Sequence, residues 1–132
     1  MSKIDAKKLE ELKKKLSTEQ YNICFLAGTE PPFSGKFTHN TAKGTYVCAV
    51  CRTPLFSSAG KFDSGTGWPS FDEVIKKGNV VLKQDDGMGL VRTEVQCATC
   101  SAHLGHLFAD GPTKTGNRYC INSLALEFVK IK

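Results

Sequence analysis

The sequence predicts a mainly β domain of antiparallel strands with short N-terminal helices, on three observations. Short apolar segments have the character of strands, namely "TYVCAV", "VVLK" and "LVRTEVQC". Turn-rich runs separate them, "GTEPPFSG", "SGTGWPS", "DDGMG" and "ADGPTKTGN", a rhythm typical of strands joined by long loops. The chain has 132 residues, enough for one compact core and too few for two ordinary domains.

Residues 1–20 are predicted to form a helical segment that packs on a single β-domain of residues 21–132. Leu9, Leu12 and Leu16 follow Asp5 at spacings of three and four, with charge elsewhere, which is the pattern of a surface helix. The first sixteen residues hold six lysines and three acids, so +3 of the net charge of +5 lies here. Because no aromatic residues interleave with these lysines, the charge indicates a solvated helix face and not a nucleic-acid surface.

Three further local interpretations concern short segments. Ser17 and Gln20 have the spacing of a capping box, which indicates a second short turn. The dense apolar run Tyr21–Phe25 is interpreted as an early strand or a buried turn. The interval "SFDEVIKKG" is the one helix-like stretch between the strands, with Gly78 as its stop.

The sequence begins without a signal-peptide pattern and contains no run of eighteen apolar residues. We therefore expect a cytoplasmic protein with no membrane contact, or an organellar one if a presequence has been removed. A reducing compartment keeps thiols free for metal binding or catalysis, whereas six cysteines in a small secreted chain indicate disulfides.

Four of the six cysteines form two matched pairs, Cys48 with Cys51 and Cys97 with Cys100. Thiolates separated by two residues converge on one ion, and four of them are the ligands of a tetrahedral zinc site. Since four sulfurs leave no position for water, the pairs predict one structural Zn²⁺ that clamps two distant hairpins. Two separate redox pairs are the alternative, but neither precedes the helix of a βαβ unit.

Two histidines follow the second pair in "CATCSAHLGHLF". A local site of two cysteines and two histidines would leave the first pair without a metal, so we expect His103 and His106 to act elsewhere. Residues three apart face opposite sides of a straight strand, and Gly105 disfavours a helix, whereas a bent segment aims both at one point. The alternative is one hydrogen-bonded core histidine and one exposed histidine.

The cysteine in "RYCIN" stands outside the pairs. In a strand, Arg118, Cys120 and Asn122 share one face, and the two residues between them face the other way. A neighbouring cation favours the thiolate, so Arg118 is expected to lower the pKa of Cys120 from about 8.5 toward about 7 and make it reactive. The alternative is a small buried apolar cysteine beside a surface arginine.

These residues resemble the B-type methionine sulfoxide reductases, which act on the R epimer at sulfur. The resemblance runs from about Tyr21 to Ile131 and includes "GTEPPFSG", "GTYVCAVC", "KFDSGTGWPSF", "CATCSAHLGHLF", "ADGP" and "RYCINS" in order. It implies two antiparallel β-sheets in a barrel-like, Mss4-like fold clamped by zinc away from the active centre. It also implies that Cys120 is catalytic.

The resemblance implies a mechanism as well. The Cys120 thiolate attacks the sulfoxide sulfur, His103 and His106 supply or relay a proton to the oxygen, and a sulfenic acid remains on the cysteine. The substrate is methionine R-sulfoxide in proteins or peptides, or free, and the protein is expected to be a monomer.

Other residues have roles implied by the same resemblance. Trp68 receives the substrate methyl group, and Phe108 closes the other side of the pocket, with core packing as the alternative for each. Asp110 orients a histidine or opens the "ADGP" turn. Asn122 holds a histidine or a bridging water.

The chain departs from the family pattern at Thr66, where many members have a resolving cysteine. The usual intramolecular disulfide cannot form. Either Cys24 attacks the sulfenic acid, or an external dithiol such as thioredoxin reduces Cys120 directly. Burial in the core is the alternative for Cys24.

Two other functions remain open at this stage. A non-enzymatic, zinc-clamped β-domain that binds a partner protein would explain the paired cysteines but not "RYCINS" or Trp68. A cysteine hydrolase would use Cys120, a histidine and Asn122, but no oxyanion-hole turn is evident.

Overall fold

The computed structural model describes residues 4–85 and 92–131, which form two short helices and two antiparallel β-sheets. The helices are α1 (Ala6–Lys13) and α2 (Thr18–Phe25). The strands in the described residues are β1 (Gly44–Cys48), β2 (Pro54–Ser57), β3 (Lys61–Phe62), β4 (Ser70–Phe71), β5 (Val80–Asp85), β6 (Arg92–Cys97), β7 (His103–Phe108), β8 (Arg118–Ile121) and β9 (Leu126–Lys130).

The strands are ordered β2-β1-β9 in one sheet and β3-β4-β8-β7-β6-β5 in the other. This confirms the predicted fold class, which is mainly β with two antiparallel sheets and short N-terminal helices. Strands β1 and β5 lie where "TYVCAV" and "VVLK" predict them, and β6 covers the described part of "LVRTEVQC". Residues 86–91, which include most of "DDGMG", lie outside the described residues.

Helix α1 confirms the N-terminal prediction. The Asp5 side chain caps it by accepting a hydrogen bond from the backbone N–H of Lys8 at 2.8 Å. Leu9, Leu12 and Leu16 pack against the core. Most of the lysines are exposed, whereas the ammonium of Lys13 lies 4.7 Å from the centre of the Phe25 ring. Within residues 4–85 and 92–131, neither α-helix has the length and apolar character needed to cross a membrane.

Helix α2 contradicts the interpretation of Tyr21–Phe25 as a strand or turn. Ser17 and Gln20 form the capping box in both directions, each side chain bonded to the other residue's backbone N–H at 3.0 Å. The helix continues through Phe25 because it buries Ile23 and Cys24 against the β-domain. Tertiary burial and a complete cap therefore outweigh the β-propensity of this run, and α2 extends across the expected boundary at residue 20.

The interval "SFDEVIKKG" is not a helix, so that prediction is wrong. It begins as β4, continues as bends and ends in a 3₁₀ turn, Lys77–Asn79. The backbone N–H groups of Asp72 and Ile75 donate to the carbonyls of Gly60 and Leu55 at 2.9 and 2.8 Å. These long-range hydrogen bonds replace those that a helix would make.

Aromatic side chains form the core between the two sheets. Tyr46 of β1 contacts Phe71 of β4 with ring centroids 5.1 Å apart. Phe56 of β2 stacks on Phe71 at 4.4 Å and contacts Tyr119 of β8 at 5.6 Å. Because Tyr119 points into this core, the alternation of β8 turns its neighbour Cys120 toward the opposite face.

Candidate active site

Strand register places Cys120 beside a histidine and a serine. Cys120 lies directly opposite His106 of β7 on one side and Ser70 of β4 on the other. Directly opposed residues of an antiparallel pair project from the same face, with β-carbons about 4.5–5.5 Å apart. His106 is in turn opposite Glu94 of β6. A row of functional side chains therefore crosses the six-stranded sheet.

A β-bulge explains how two histidines three residues apart share that face. Val95 pairs with Gly105 and Gln96 pairs with His103, so β7 has one extra residue, Leu104, between these pairs. The extra residue reverses the alternation, and the rings of His103 and His106 lie 5.4 Å apart. The bent segment expected from the sequence is this bulge.

Each histidine has a carboxylate partner. His103 Nδ1 lies 2.7 Å from Glu94 Oε2, and His106 Nε2 lies 2.9 Å from Asp85 Oδ2. Burial lowers the pKa of His103, although the hydrogen bond to Glu94 opposes this shift. In the neutral ring Nδ1–H donates to Glu94, which leaves Nε2 as a buried acceptor with no protein partner among the described residues.

Arg118 is engaged by a different acid. Its Nε and Nη2 atoms donate to the two carboxylate oxygens of Asp110 at 2.8 and 3.2 Å, and its guanidinium lies 4.4 Å from the centre of the Phe108 ring. The hydrogen bond from Arg118 lowers the pKa of Asp110. Asp110 therefore does not orient a histidine, because those partners are Asp85 and Glu94.

The resting thiol of Cys120 is not activated in the way the sequence suggested. Burial raises its pKa above the ordinary value, and this outweighs the lowering by Arg118 and by a hydrogen bond from Thr66. The buried carboxylate of Glu30 adds to the increase. The expected net lowering by Arg118 is therefore wrong, since desolvation of the thiolate is the larger effect.

A small cavity of about 110 Å³ opens beside the sulfur. Its walls combine two aromatic rings with polar side chains, and the lining residues are Thr29, Trp68, Arg92, Gly105, His106, Phe108, Cys120 and Asn122. An apolar wall with a thiol, an imidazole and an amide at one point suits a small side chain that carries a polar sulfur group. Arg118 and His103 do not line the cavity, but Arg118 contacts Phe108 and His103 contacts His106, which both do.

Glu30 connects the parts of the cavity. Its backbone carbonyl accepts the indole N–H of Trp68 at 2.9 Å, and its N–H donates to Asn122 Oδ1 at 3.0 Å. Its side chain accepts the backbone N–H of Leu124 at 2.9 Å. Asn122 also donates from Nδ2 to the carbonyl of Leu104 at 3.1 Å. Both ends of the Asn122 amide are thus bound to backbone, and neither holds a histidine.

The two cysteine pairs meet in a second site. The sulfurs of Cys48, Cys51, Cys97 and Cys100 lie within 4.8 Å of one another, so the group could hold a metal ion. The two turns are alike. Ser101 N–H donates to Cys97 O and Arg52 N–H donates to Cys48 O, both at 2.9 Å. The residue after each pair, Arg52 or Ser101, has a positive φ, 66° and 65°.

This cluster joins the two sheets. Cys48 ends β1 of the three-stranded sheet, and Cys97 ends β6 of the six-stranded sheet. The Sγ atoms of Cys48 and Cys100 are 3.6 Å apart, and those of Cys51 and Cys97 are 3.5 Å apart. The closest sulfurs therefore come from different pairs, so an ion held here would clamp one sheet to the other.

Comparison with known proteins agrees with this geometry. Residues 16–130 match the family model described as the SelR domain. The chain belongs to the SelR family. Three relatives, each named peptide methionine sulfoxide reductase MsrB, come from Teredinibacter turnerae, Pseudomonas putida (strain W619) and Methanosarcina barkeri. They are 52% identical over 118 residues, 54% over 128 and 55% over 119. The alignments cover 89%, 97% and 90% of this chain and 87%, 96% and 84% of those proteins.

The sixth cysteine of this SelR domain lies in the core. Cys24 is 1% exposed in α2, and burial raises its pKa to about 12, with a further increase from Cys97. Thr66, by contrast, lies close enough to Cys120 to lower the pKa of its thiol. The position where many members have a resolving cysteine is therefore next to Cys120, and the free cysteine of this chain is an inaccessible core residue.

Sequence reasoning missed several residues of the SelR site, namely Glu30, Asp85, Arg92 and Glu94. Glu30 lies in a turn-rich run, where a single acid carries no periodic signal. The other three lie on β5 and β6, where Asp85 and Glu94 contact the histidines and Arg92 contacts Asp85, and strand pairing brings them together. An acid inside a predicted strand, as in "TEVQC", was the one available signal, because a charge on a half-buried strand needs a partner.

We predict that alkylation of Cys120 by iodoacetamide requires alkaline pH. Only the thiolate reacts, and a raised pKa moves its formation upward in pH, so the half-maximal rate should lie above that of a free cysteine. The rate is measured by peptide mass spectrometry from pH 6 to pH 10. Arg118→Met should move the midpoint further up, because the cation favours the thiolate. A midpoint below that of free cysteine would contradict the burial argument.

Proposed function

We propose that the protein reduces methionine R-sulfoxide in proteins and peptides to methionine, with Cys120 as the nucleophile. The observation that carries this proposal is the position of the Cys120 sulfur in a small cavity opposite His106 and walled by Trp68 and Phe108. The named activity of the SelR relatives supports the same reaction. A methyl group on sulfur gains contact with the indole and has no hydrogen bond to lose.

The net reaction moves one oxygen atom from the substrate sulfur to the cysteine sulfur. The Cys120 thiolate forms a bond to the sulfoxide sulfur while the substrate oxygen takes up two protons and leaves as water. A water molecule then attacks the Cys120 sulfur, the bond between the two sulfurs breaks, and methionine departs with that electron pair, which leaves Cys120 as sulfenic acid and releases one proton. Methionine sulfur is reduced by two electrons and Cys120 is oxidised by two. Because the resting thiol is largely protonated, the thiol proton must leave Cys120 as the substrate oxygen takes one up.

His106 is the proposed proton donor, with His103 behind it. His106 lines the cavity directly opposite Cys120, and its Nε2 is held 2.9 Å from Asp85 Oδ2, which fixes the orientation of the ring. The free Nε2 of His103 accepts or relays a proton through a water molecule, since its other nitrogen is held by Glu94. Arg118 lies beside the sulfur and favours its anionic form when the substrate displaces water.

The test uses a peptide that contains resolved R or S sulfoxide. The wild-type protein should reduce only the R epimer in the presence of a dithiol, as measured by chromatography of the product. Cys120→Ser should lose about a thousandfold or more of this activity while its circular dichroism and metal content are unchanged. Activity that survives Cys120→Ser, or equal turnover of both epimers, would refute the assignment.

The metal cluster is proposed to hold one structural Zn²⁺. Zinc–sulfur bonds of about 2.3 Å place the sulfurs of a tetrahedron about 3.8 Å apart, close to the 3.6 and 3.5 Å of the two shortest pairs. Zinc bound by Cys48, Cys51, Cys97 and Cys100 would contribute to folding and leave no open position for chemistry.

Elemental analysis of the purified protein should therefore find one zinc per chain. Cys48→Ser should remove it and lower the midpoint of thermal unfolding, because the remaining sulfurs no longer clamp the sheets. Cys24→Ser is the matched control, since that thiol lies outside the cluster, and it should keep the zinc. Stoichiometric iron in place of zinc, or full zinc retention by Cys48→Ser, would contradict this proposal.

The reductant is proposed to be an external dithiol protein of the thioredoxin type, which attacks the sulfenic acid of Cys120 directly. Burial of Cys24 supports this choice over an internal disulfide. The attacking thiolate forms a mixed disulfide with Cys120 and releases water, and the second thiol then releases Cys120.

Unpaired thiols fit the reducing cytoplasm, and the site is complete within one chain, so a monomer is sufficient.

Peptide mass spectrometry after one equivalent of substrate, without reductant, tests this route. The wild-type protein should keep one added oxygen on Cys120, which dimedone traps. Thr66→Cys should instead form a disulfide with Cys120, because residue 66 lies near that sulfur. A Cys24–Cys120 disulfide in the wild type would overturn the proposal.

The two rival functions are less well supported. A domain that only binds a partner has no use for a cavity that gathers a thiol and two acid-paired histidines. A hydrolase needs backbone donors at the nucleophile, but Cys120 lies within β8, where its backbone N–H and C=O groups pair with the neighbouring strands.

The helical segment and the β-domain are proposed to form one structural unit.

A further inference from the structure

We propose that an exposed aromatic surface next to the cavity, formed by Pro31, Pro32, Phe33 and His39, binds the residues that flank methionine sulfoxide in an unfolded polypeptide. This rim surface is separate from the cavity lining. The inference rests on the proposed reaction, and it adds a preference for one class of substrate, peptide segments with apolar neighbours of the oxidised residue.

Phe33 is unusual in both its backbone and its exposure. Its φ is 62°, in the left-handed region that favours glycine, and 60% of the residue is exposed. A phenylalanine at such a position lowers the stability of the fold in two ways, because its backbone is strained and because its apolar ring remains exposed to water. Glycine would avoid both costs. A conformation this unfavourable, held next to a reactive site, indicates that the ring is used for binding.

Backbone contacts hold the rim surface against the loop that carries Trp68. The N–H of Phe33 donates to the carbonyl of Gly67 at 2.7 Å, which also accepts the Thr38 hydroxyl at 3.3 Å. A β-carbon on Gly67 would lie 2.6 Å from Pro32 Cβ and 2.9 Å from Phe33 N, so the two loops touch closely. Because Trp68 follows Gly67 and walls the cavity, the rim surface is continuous with the substrate site.

The ring of Phe33 is supported from one side. It stacks on the imidazole of His39, with ring centroids 6.0 Å apart and planes inclined by 22°. His39, Pro31 and Pro32 are themselves exposed. Stacking fixes the orientation of Phe33 without burying it, so one face of the ring stays open to a second apolar group.

The size of the cavity determines what the rim surface contacts. A volume of about 110 Å³ holds little more than the end of one side chain, so the rest of a peptide must lie outside it. Neighbouring residues of an extended chain follow at about 3.3–3.6 Å intervals and reach the rim. Methionine belongs to apolar cores, and its oxidation disrupts them. Segments exposed by that damage therefore carry apolar side chains beside the sulfoxide.

The experiment compares two peptides with one R-sulfoxide each, flanked by leucine and phenylalanine in one and by glycine in the other. The wild-type protein should have the higher kcat/KM for the apolar peptide. Phe33→Gly should reduce that value about tenfold, equal to about 1.4 kcal/mol, mainly through KM, and leave the glycine-flanked peptide unchanged. Phe33→Tyr should keep the preference, since it keeps the ring.

Ile131→Ala is the matched control, because Ile131 is also 60% exposed and follows β9 in the other sheet. It should change neither peptide. Equal loss on both peptides in Phe33→Gly would overturn the proposal, since the ring would then only support the Trp68 loop. Equal kcat/KM for the two peptides in the wild type would overturn it as well. Failure to reduce either peptide would instead refute the proposed reaction.

Discussion

The register of β8 between β4 and β7 is the constraint on which the site depends. Tyr119 enters the aromatic core between the sheets, and Cys120 consequently faces outward, opposite His106. A shift of one residue would exchange the two, burying the thiol and exposing the tyrosine. Gly105 keeps the strands in this position, because a β-carbon there would collide with the carbonyl oxygen of Cys120. The same strand register therefore sets both the packing of the core and the position of Cys120.

Most of the ionisable side chains around Cys120 are engaged with one another. Arg118 is bound to Asp110, and the two histidines are bound to Asp85 and Glu94. With Arg118 bound to Asp110, desolvation dominates and the resting thiol stays protonated. Such a site protects the cysteine from unspecific oxidation, because the thiol form reacts poorly. In the proposed reaction, ionisation of Cys120 is coupled to protonation of the substrate oxygen by His106.

Two long-range connections hold the frame of the site. At one end of β1 and β6 the cysteine cluster joins the two sheets. At the cavity, Glu30 joins three segments through Trp68, Asn122 and Leu124. One connection resists separation of the sheets, and the other sets the distance between the aromatic wall and the strand of the nucleophile. Both connections are made by side chains and not by backbone pairing between strands.

Features that depend on neighbours in the chain were readable from the sequence alone. They include the two cysteine pairs, the capping box of Ser17 and Gln20, and the alternation that sets Cys120 apart from Tyr119. The tertiary structure decided what depends on distant partners, such as the bulge at Leu104, the acids paired with the histidines, and the helical state of Tyr21–Phe25. It also overturned the expected net lowering of the Cys120 pKa, because burial outweighs the effect of Arg118. Spacing along the chain encodes local geometry, whereas desolvation and strand pairing exist only after residues far apart have met.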